Sequence, residues 1–177
     1  LVIGGSATNA GGAGMAQALG VGLLDESNNP IGWGGGSLGE LHKIDRSNIH
    51  PMLRKVKITV ACDVQNPLLG PSGATHIYGP QKGATPEMLE TLEKNMTHFA
   101  QMLHQEFGAD YSNTPGAGAA GGLGAGLMAF CKAEILTGCN LISKLTNLEE
   151  HIQNSSLIFT AEGQIDSQTA SGNTSSC

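Results

Sequence analysis

Three segments of this 177-residue chain set glycine beside hydroxyl or carboxylate side chains. The first, Gly4-Gly5-Ser6-Ala7-Thr8-Asn9, follows the apolar Leu1-Val2-Ile3 and precedes a run of small residues. Backbone N–H groups where a strand passes into a helix favour an anion, and glycine lets the anion approach the backbone. Ser6, Thr8 and Asn9 can add side-chain hydrogen bonds. The same residues equally suit a tight turn with hydroxyl capping, and the loop alone supports both readings. The second segment, Cys62-Asp63-Val64-Gln65-Asn66-Pro67-Leu68, puts a carboxylate at the C-terminal end of an apolar strand, where open α/β sheets bind ligands. Asp63 there could hold Mg²⁺ or accept a proton; it could also simply close an Asx turn. The third, Glu162-Gly163-Gln164-Ile165-Asp166-Ser167-Gln168-Thr169, supplies two more carboxylates. Gly79-Pro80-Gln81-Lys82-Gly83-Ala84 places one lysine in a glycine-proline turn. Lysine binds phosphate as a point charge, although an exposed one is usually just solvated.

Other chemistries lack their residues. The Gly-Lys-Ser/Thr of a Walker loop is absent, and Gly118, Gly121, Gly122 and Gly124 make only pieces of a dinucleotide fingerprint. The six histidines show no zinc-ligand spacing; His98 and His104 lie six apart on different faces of one predicted helix and read as surface residues. Net charge is -6, the basic residues gather only in the loose group Arg54, Lys55 and Lys57, and the aromatics are four Phe, two Tyr and one Trp. A nucleic-acid surface needs more of both, so no nucleic-acid partner is expected. Cys62 and Cys131 sit in apolar runs and read as buried thiols, and with Cys139 and Cys177 they form no evident disulfide framework. No apolar stretch is long enough to span a membrane. Leu1-Val2-Ile3 reads as the inside of a strand, so the chain is expected to begin within a larger protein.

The elements that must position these loops follow from periodicity. With 40% apolar and 14% charged residues the chain has a globular balance. Its 26 glycines cluster without a fixed period, which rules out collagen and solenoid architectures. Leu1–Ile3 predicts the end of a buried strand. A close-packed helix is predicted over 10–19, a strand over 21–24, a turn at Asn28-Asn29-Pro30 with 31–33 returning as a hairpin arm, and a short helix capped by Ser37 running to His42. The alternation of Val56, Ile58, Val60 and Cys62 predicts a strand over 55–62. A short helix is expected over 73–78. Thr85-Pro86-Glu87 is a strong helix start, followed by Leu89, Leu92, Met96, Phe99 and Leu103 at helical spacing and stopped by Gly108. A glycine-rich helix is predicted over 117–133, a short one over 147–153, and a buried strand over 157–160. Strands alternating with helices give an α/β class: a mixed or mostly parallel sheet with helices in three layers.

Taken in order, the stretches GGSATNAGGAGMAQALG (4–20), ACDVQNPLLG (61–70), YGPQKGAT (78–85), PGAGAAGGLGAGL (115–127) and AEGQIDSQT (161–169) closely resemble the bacterial glycerate kinase family, the type that lacks a P-loop. Five motifs in register are far more specific than any one glycine loop. The resemblance implies a two-domain α/β kinase that transfers the γ-phosphoryl of ATP to D-glycerate with Mg²⁺, a cytoplasmic enzyme whose partners are small molecules and which could be a homodimer. It implies that residues 1–154 form most of one domain and that 155–177 lie at the edge of a second, Rossmann-like domain, both ends being truncated. Asp63 and Asp166 are then the catalytic or metal-binding carboxylates. Gly4, Gly5, Ser6, Thr8, Asn9, Asn66, Lys82 and Ser167 would bind substrate or phosphate. Two departures stand out: Ala10 occupies a position where the family usually has Asp, and Gln164 one where it usually has Arg. The fragment is therefore expected to be inactive alone. A non-catalytic module that keeps the anion loop is the competing expectation; a purely structural domain and a dehydrogenase rank below it.

Overall fold

The computed structural model describes residues 1–159. The chain divides into two compact units, Leu1–Ile135 and Leu136–Cys177. The predicted loop at 161–169, with Asp166 and Ser167, lies outside the described residues.

The first unit is organised around the helix α3 (Pro86–Phe107), which forms as its sequence dictates. Thr85 Oγ1 accepts the Met88 N–H at 3.3 Å, Pro86 occupies the first turn, and Gly108 ends the helix at φ 71°. Met96, Phe99 and Leu103 are fully buried. They pack with Leu38, Leu41 and Leu68 from loops, Leu23 and Val60 from strands, and Phe130 of α4 (Ala119–Cys131) in one core. Burying such side chains stabilises the unit by about 1.5–3 kcal/mol each. Of the two histidines read as surface residues, His104 is exposed, whereas His98 is half-buried, with Nε2 2.6 Å from the Leu41 carbonyl oxygen.

Strands are short. β1 (Gly22–Leu24) pairs antiparallel with β2 (Lys43–Asp45) in the register Leu23↔Ile44. The chain does return against β1, but earlier than predicted: Pro30, placed in the turn, bridges to Leu24 and Ile31 N–H donates to the Leu23 carbonyl at 2.9 Å, while 31–33 form no strand. β3 (Thr59–Ala61) pairs with β4 (Glu134–Leu136) and takes a parallel bridge from Val2 to Ala61. The resulting fold is the predicted mixture of helix and sheet with parallel pairing.

Several expectations need correction. The N-terminal segment is not a buried strand, since it makes one bridge and leaves Val2 80% exposed. The strand expected over 55–62 shrinks to three residues; Lys55 closes a 3-10 turn (Pro51–Arg54) and Val56 is exposed, so no ladder partner extends that far. Ser37 caps nothing. The segment is a 3-10 turn (Gly35–Glu40) preceded by Gly34, and it is gripped by Asn95 Nδ2, which donates to the Gly35 and Gly36 carbonyls at 3.1 and 2.7 Å. The helix predicted over 10–19 narrows to α1 (Ala13–Ala18). The helix predicted over 117–133 is α4, broken near its start by a left-handed turn at Ala120, Gly121 and Gly122.

The second unit contains α5 (Gly138–Thr146), which the sequence did not suggest, and α6 (Leu148–Gln153), which it did. Thr137 caps α5, and Asn147 at φ 50° separates the two helices. Leu157 to Phe159 are exposed and outside any strand. Among the described residues, no helix is long and apolar enough to cross a membrane.

Candidate functional site

The glycine-rich loop 4–9 does not sit directly on a helix N-terminus, because α1 starts only at Ala13. Its positive charge comes instead from Lys82, 74 residues further along. Lys82 Nζ donates to Ser6 Oγ at 2.8 Å and to the Thr8 carbonyl oxygen at 2.6 Å. The ammonium also lies 5.9 Å from the centroid of the Tyr78 ring. These partners are neutral, and among the described residues Lys82 has no carboxylate counter-ion. Partial burial accordingly pulls its pKa below the ordinary 10.5, because the charged form loses hydration. An ammonium has three N–H groups, so two bonds leave one for a ligand.

The turn that delivers Lys82 begins at α2 (Ala74–Tyr78) and continues through the 3-10 turn Pro80–Lys82. α2 contributes two further residues that the sequence reading did not single out. Thr75 is fully buried, and its hydroxyl accepts from Asn9 Nδ2 at 3.0 Å. Asn9 is itself only 8% exposed, and its Oδ1 is buried with no partner among the described residues. Tyr78 donates its hydroxyl hydrogen to Asn66 Oδ1 at 2.7 Å, and Asn66 Nδ2 donates to the Ser72 carbonyl at 2.8 Å. Burial pushes the Tyr78 hydroxyl pKa up, with the Cys62 thiol adding to the shift. Tyr78 thus links the Asn66 loop to the Lys82 turn. Its place at the head of the YGPQKG stretch was the available signal; Thr75 had none.

The turn at Ala120–Gly122 closes the arrangement from below. Gly121 O accepts the Gly11 N–H at 3.0 Å, and Gly118 N–H donates to the Asn66 carbonyl at 3.0 Å. A Cβ at Gly121 would collide with the Thr8 carbonyl oxygen, and one at Gly118 with that of Pro67. The second glycine cluster therefore exists because loops 4–9 and 62–68 lie directly on its backbone. Gly4 and Gly5 face the other way: a Cβ there would meet nothing within 4 Å.

Of the residues expected in the site, Ser6, Thr8 and Lys82 are brought into direct contact, Asn66 joins them through Tyr78, and Asn9 is turned inward onto Thr75. Asp63 is exposed just beyond β3, beside the buried Cys62, whose thiol pKa burial raises. Asp166 and Ser167 lie outside the described residues. Among the described residues, no three His, Cys, Asp or Glu side chains gather as a metal cage. Mg²⁺ needs no such cage, since it is commonly held by one or two carboxylates together with substrate phosphates, and Asp63 is one exposed carboxylate.

Known proteins resemble this chain in sequence and in fold. The chain is 52% identical to a glycerate kinase of Halalkalibacterium halodurans over 98% of its own length and 46% of that protein's. It is 52% identical to the glycerate 2-kinase of Escherichia coli, covering 96% of this chain and 45% of that one. A crystal structure of a putative glycerate kinase 2 from Salmonella typhimurium LT2 superposes with a TM-score of 0.88 at 46% identity, over 98% of this chain and 47% of the other. The chain thus spans about half the length of these relatives. Residues 1–176 match the glycerate kinase family, and the chain belongs to it.

Proposed function

We propose that this chain supplies the anion-binding half of an enzyme that phosphorylates D-glycerate with ATP. The observation that carries the reading is the Lys82 ammonium, partly buried, without a carboxylate partner among the described residues and fixed by Ser6 and Thr8. A ligand carboxylate or phosphate would take the third N–H and provide the missing counter-charge. Ser6 Oγ and the uncovered backbone of Gly4 and Gly5 border the same loop and would complete the cradle.

Phosphoryl transfer needs positioning, charge neutralisation and a group that receives the hydroxyl proton. The glycerate hydroxyl oxygen forms a bond to the γ-phosphorus, the bond to the ADP oxygen breaks, and the proton passes to a carboxylate. Asp63 or Asp166 takes that proton, and the other would hold Mg²⁺. The ion, when bound, supplies charge neutralisation at the phosphates. By analogy with the Escherichia coli relative, the acceptor is the 2-hydroxyl. The same reading makes the enzyme cytoplasmic, with glycerate and ATP as its small-molecule partners and a homodimer as its assembly, which light scattering would show as a doubled mass.

The test is Asp63→Ala and Asp166→Ala, made in the longest reading frame that contains this segment. Each should lower kcat at least about tenfold, a modest bar for acid–base or metal roles. Unchanged turnover in both removes the assignment. Ala10 favours a second reading, in which the loop binds the anion without turnover. Calorimetric titration of the chain with glycerate and Mg-ATP, followed by an ADP-release assay, separates the two: binding without product supports the module.

A further inference from the structure

The first unit holds a cavity of about 570 Å³ at the far end of α4 from the Ala120–Gly122 turn. Ala129, Phe130 and Cys131 of the last turn of α4 line it, and all three are buried. The Phe107 ring stands edge-on to Phe130, with centroids 5.4 Å apart, and fixes one wall; Ile49 and Leu53 add apolar surface. The volume lies within the range of about 300–1,000 Å³ usual for small-molecule sites.

Charge sets this cavity apart from an ordinary apolar dent. Arg46, Arg54 and Lys132 all line it, three of the nine Lys and Arg residues in a chain whose net charge is -6, and among the described residues no carboxylate lines it. Arg46 is held in place: Nε bonds Glu106 Oε1 at 2.7 Å, and the guanidinium carbon lies 4.8 Å from the Phe107 ring centroid. Glu106 offsets that one charge. Arg54 and Lys132 form no side-chain ion pair or hydrogen bond among the described residues. Lys132 moreover occupies the left-handed C-cap of α4, at φ 52°, a position where glycine or asparagine is the usual choice. Arg54 and Lys132 are exposed at the rim, and two cations without a carboxylate partner among the described residues beside the Phe107–Phe130 wall match an anion that carries an apolar body. A bare anion would leave the aromatic wall wet, and an uncharged hydrocarbon would gain nothing from the two rim cations.

We infer that this cavity binds a small organic anion, a carboxylate or sulfonate borne on an aromatic ring or a short alkyl chain. Glycerate is too polar to use the wall, so the site is separate from the Lys82 cradle and the inference does not depend on it.

The test uses the 177-residue chain, with anilinonaphthalene sulfonate as fluorescent probe and octanoate, 1-octanol and inorganic phosphate as competitors. Octanoate should displace the dye at a concentration at least about tenfold below that needed for octanol or phosphate, the margin expected when a charged hydrogen bond and apolar burial act together. Arg54→Ala and Lys132→Asn should each weaken dye and octanoate binding about three- to fivefold. Asparagine is chosen because it tolerates the left-handed backbone. Val56→Glu puts a carboxylate at a half-exposed lining position and should weaken binding further without disturbing the core. Unchanged urea midpoints in these variants confirm that the fold is intact. Equal displacement by octanol or by phosphate overturns the inference, as does dye binding that is the same in all three variants.

Discussion

Lys82 Nζ lies 2.6 Å from the carbonyl oxygen of Thr8, so a residue from the α2 turn anchors a loop near the other end of the sequence. The ammonium is held by neutral oxygens, and burial lowers its pKa from 10.5. The direction of the pH effect follows. Below its folded pKa, charged Lys82 opposes folding; the penalty lifts as pH rises through that value towards 10.5, because the folded state then binds fewer protons than the unfolded one. Anion binding runs the other way, since it requires the ammonium. Glycerate affinity measured by calorimetry should therefore fall from neutral pH to about pH 10, earlier than an unperturbed lysine would dictate. Lys82→Met should cost about tenfold or more in affinity and flatten this alkaline decline.

The Asn9–Thr75 pair makes a separate prediction. Thr75 is fully buried, and its hydroxyl accepts the hydrogen bond of a nearly buried amide. Thr75→Val keeps the shape and strands the Asn9 N–H, at a cost of about 1–3 kcal/mol. Thr75→Ser should recover most of that loss. Urea unfolding of the three proteins measures it, and equal midpoints for valine and threonine would show that the pair contributes nothing.

Backbone handedness at the α4 break can be tested by exchanging two neighbouring residues. Gly121 has φ 70° and touches the Thr8 carbonyl, whereas Ala120 has φ 52° and already carries a Cβ. Gly121→Ala adds both left-handed strain and a collision, so it should destabilise by more than the roughly 1 kcal/mol that strain alone costs. It should also weaken glycerate binding, because relief of the collision displaces Thr8 from Lys82. Ala120→Gly relieves strain and should be neutral to mildly stabilising in the same denaturation assay.

How much of this was legible follows from the range of each signal. α3 was readable because its start, stripe and stop are all local: Thr85-Pro86-Glu87, Met96 to Leu103, and Gly108. β2 and β4 have three residues each, too few to display an alternation, and their existence depends on partners far along the chain. The site divides in the same way. Ser6, Thr8 and Lys82 stand out by residue type, but no sequence pattern joins a loop at 6–8 to a turn at 82. Thr75 was invisible because a threonine in a short helix looks the same whether it faces water or a buried amide. The glycines at 118–122 could be seen to require close approach, but what approaches them was not readable.

The cap of α3 gives a stability prediction that leaves the site untouched. Thr85 Oγ1 accepts the Met88 N–H, and Glu87 in the first turn has its pKa lowered by a hydrogen bond to its own backbone N–H and by one from Thr85. Thr85→Ala should cost about 1 kcal/mol in urea unfolding, while Thr85→Ser should be close to neutral. Because the lowered Glu87 pKa favours its charged form, that contribution is present above the unfolded pKa and is lost as pH falls through the folded value. The difference between Thr85→Ala and parent should accordingly shrink in acid.

Ala10 decides between the two functional readings. It follows Asn9 directly, and its carbonyl accepts the Ala13 N–H at 2.9 Å, so its backbone is fixed at the entry to α1. Its side chain is a methyl group, which can neither move a proton nor hold a metal. The residue is only partly buried, and a carboxylate there can keep some hydration. If the enzyme reading holds and Ala10 is what limits it, Ala10→Asp should raise the rate of glycerate-dependent ADP release at least about tenfold, the low end for a positioned acid–base group. Glycerate affinity should change little, because Lys82, Ser6 and Thr8 remain in contact. A variant that binds glycerate as the parent does and still releases no ADP would leave the binding-module reading standing, with the defect elsewhere than at position 10.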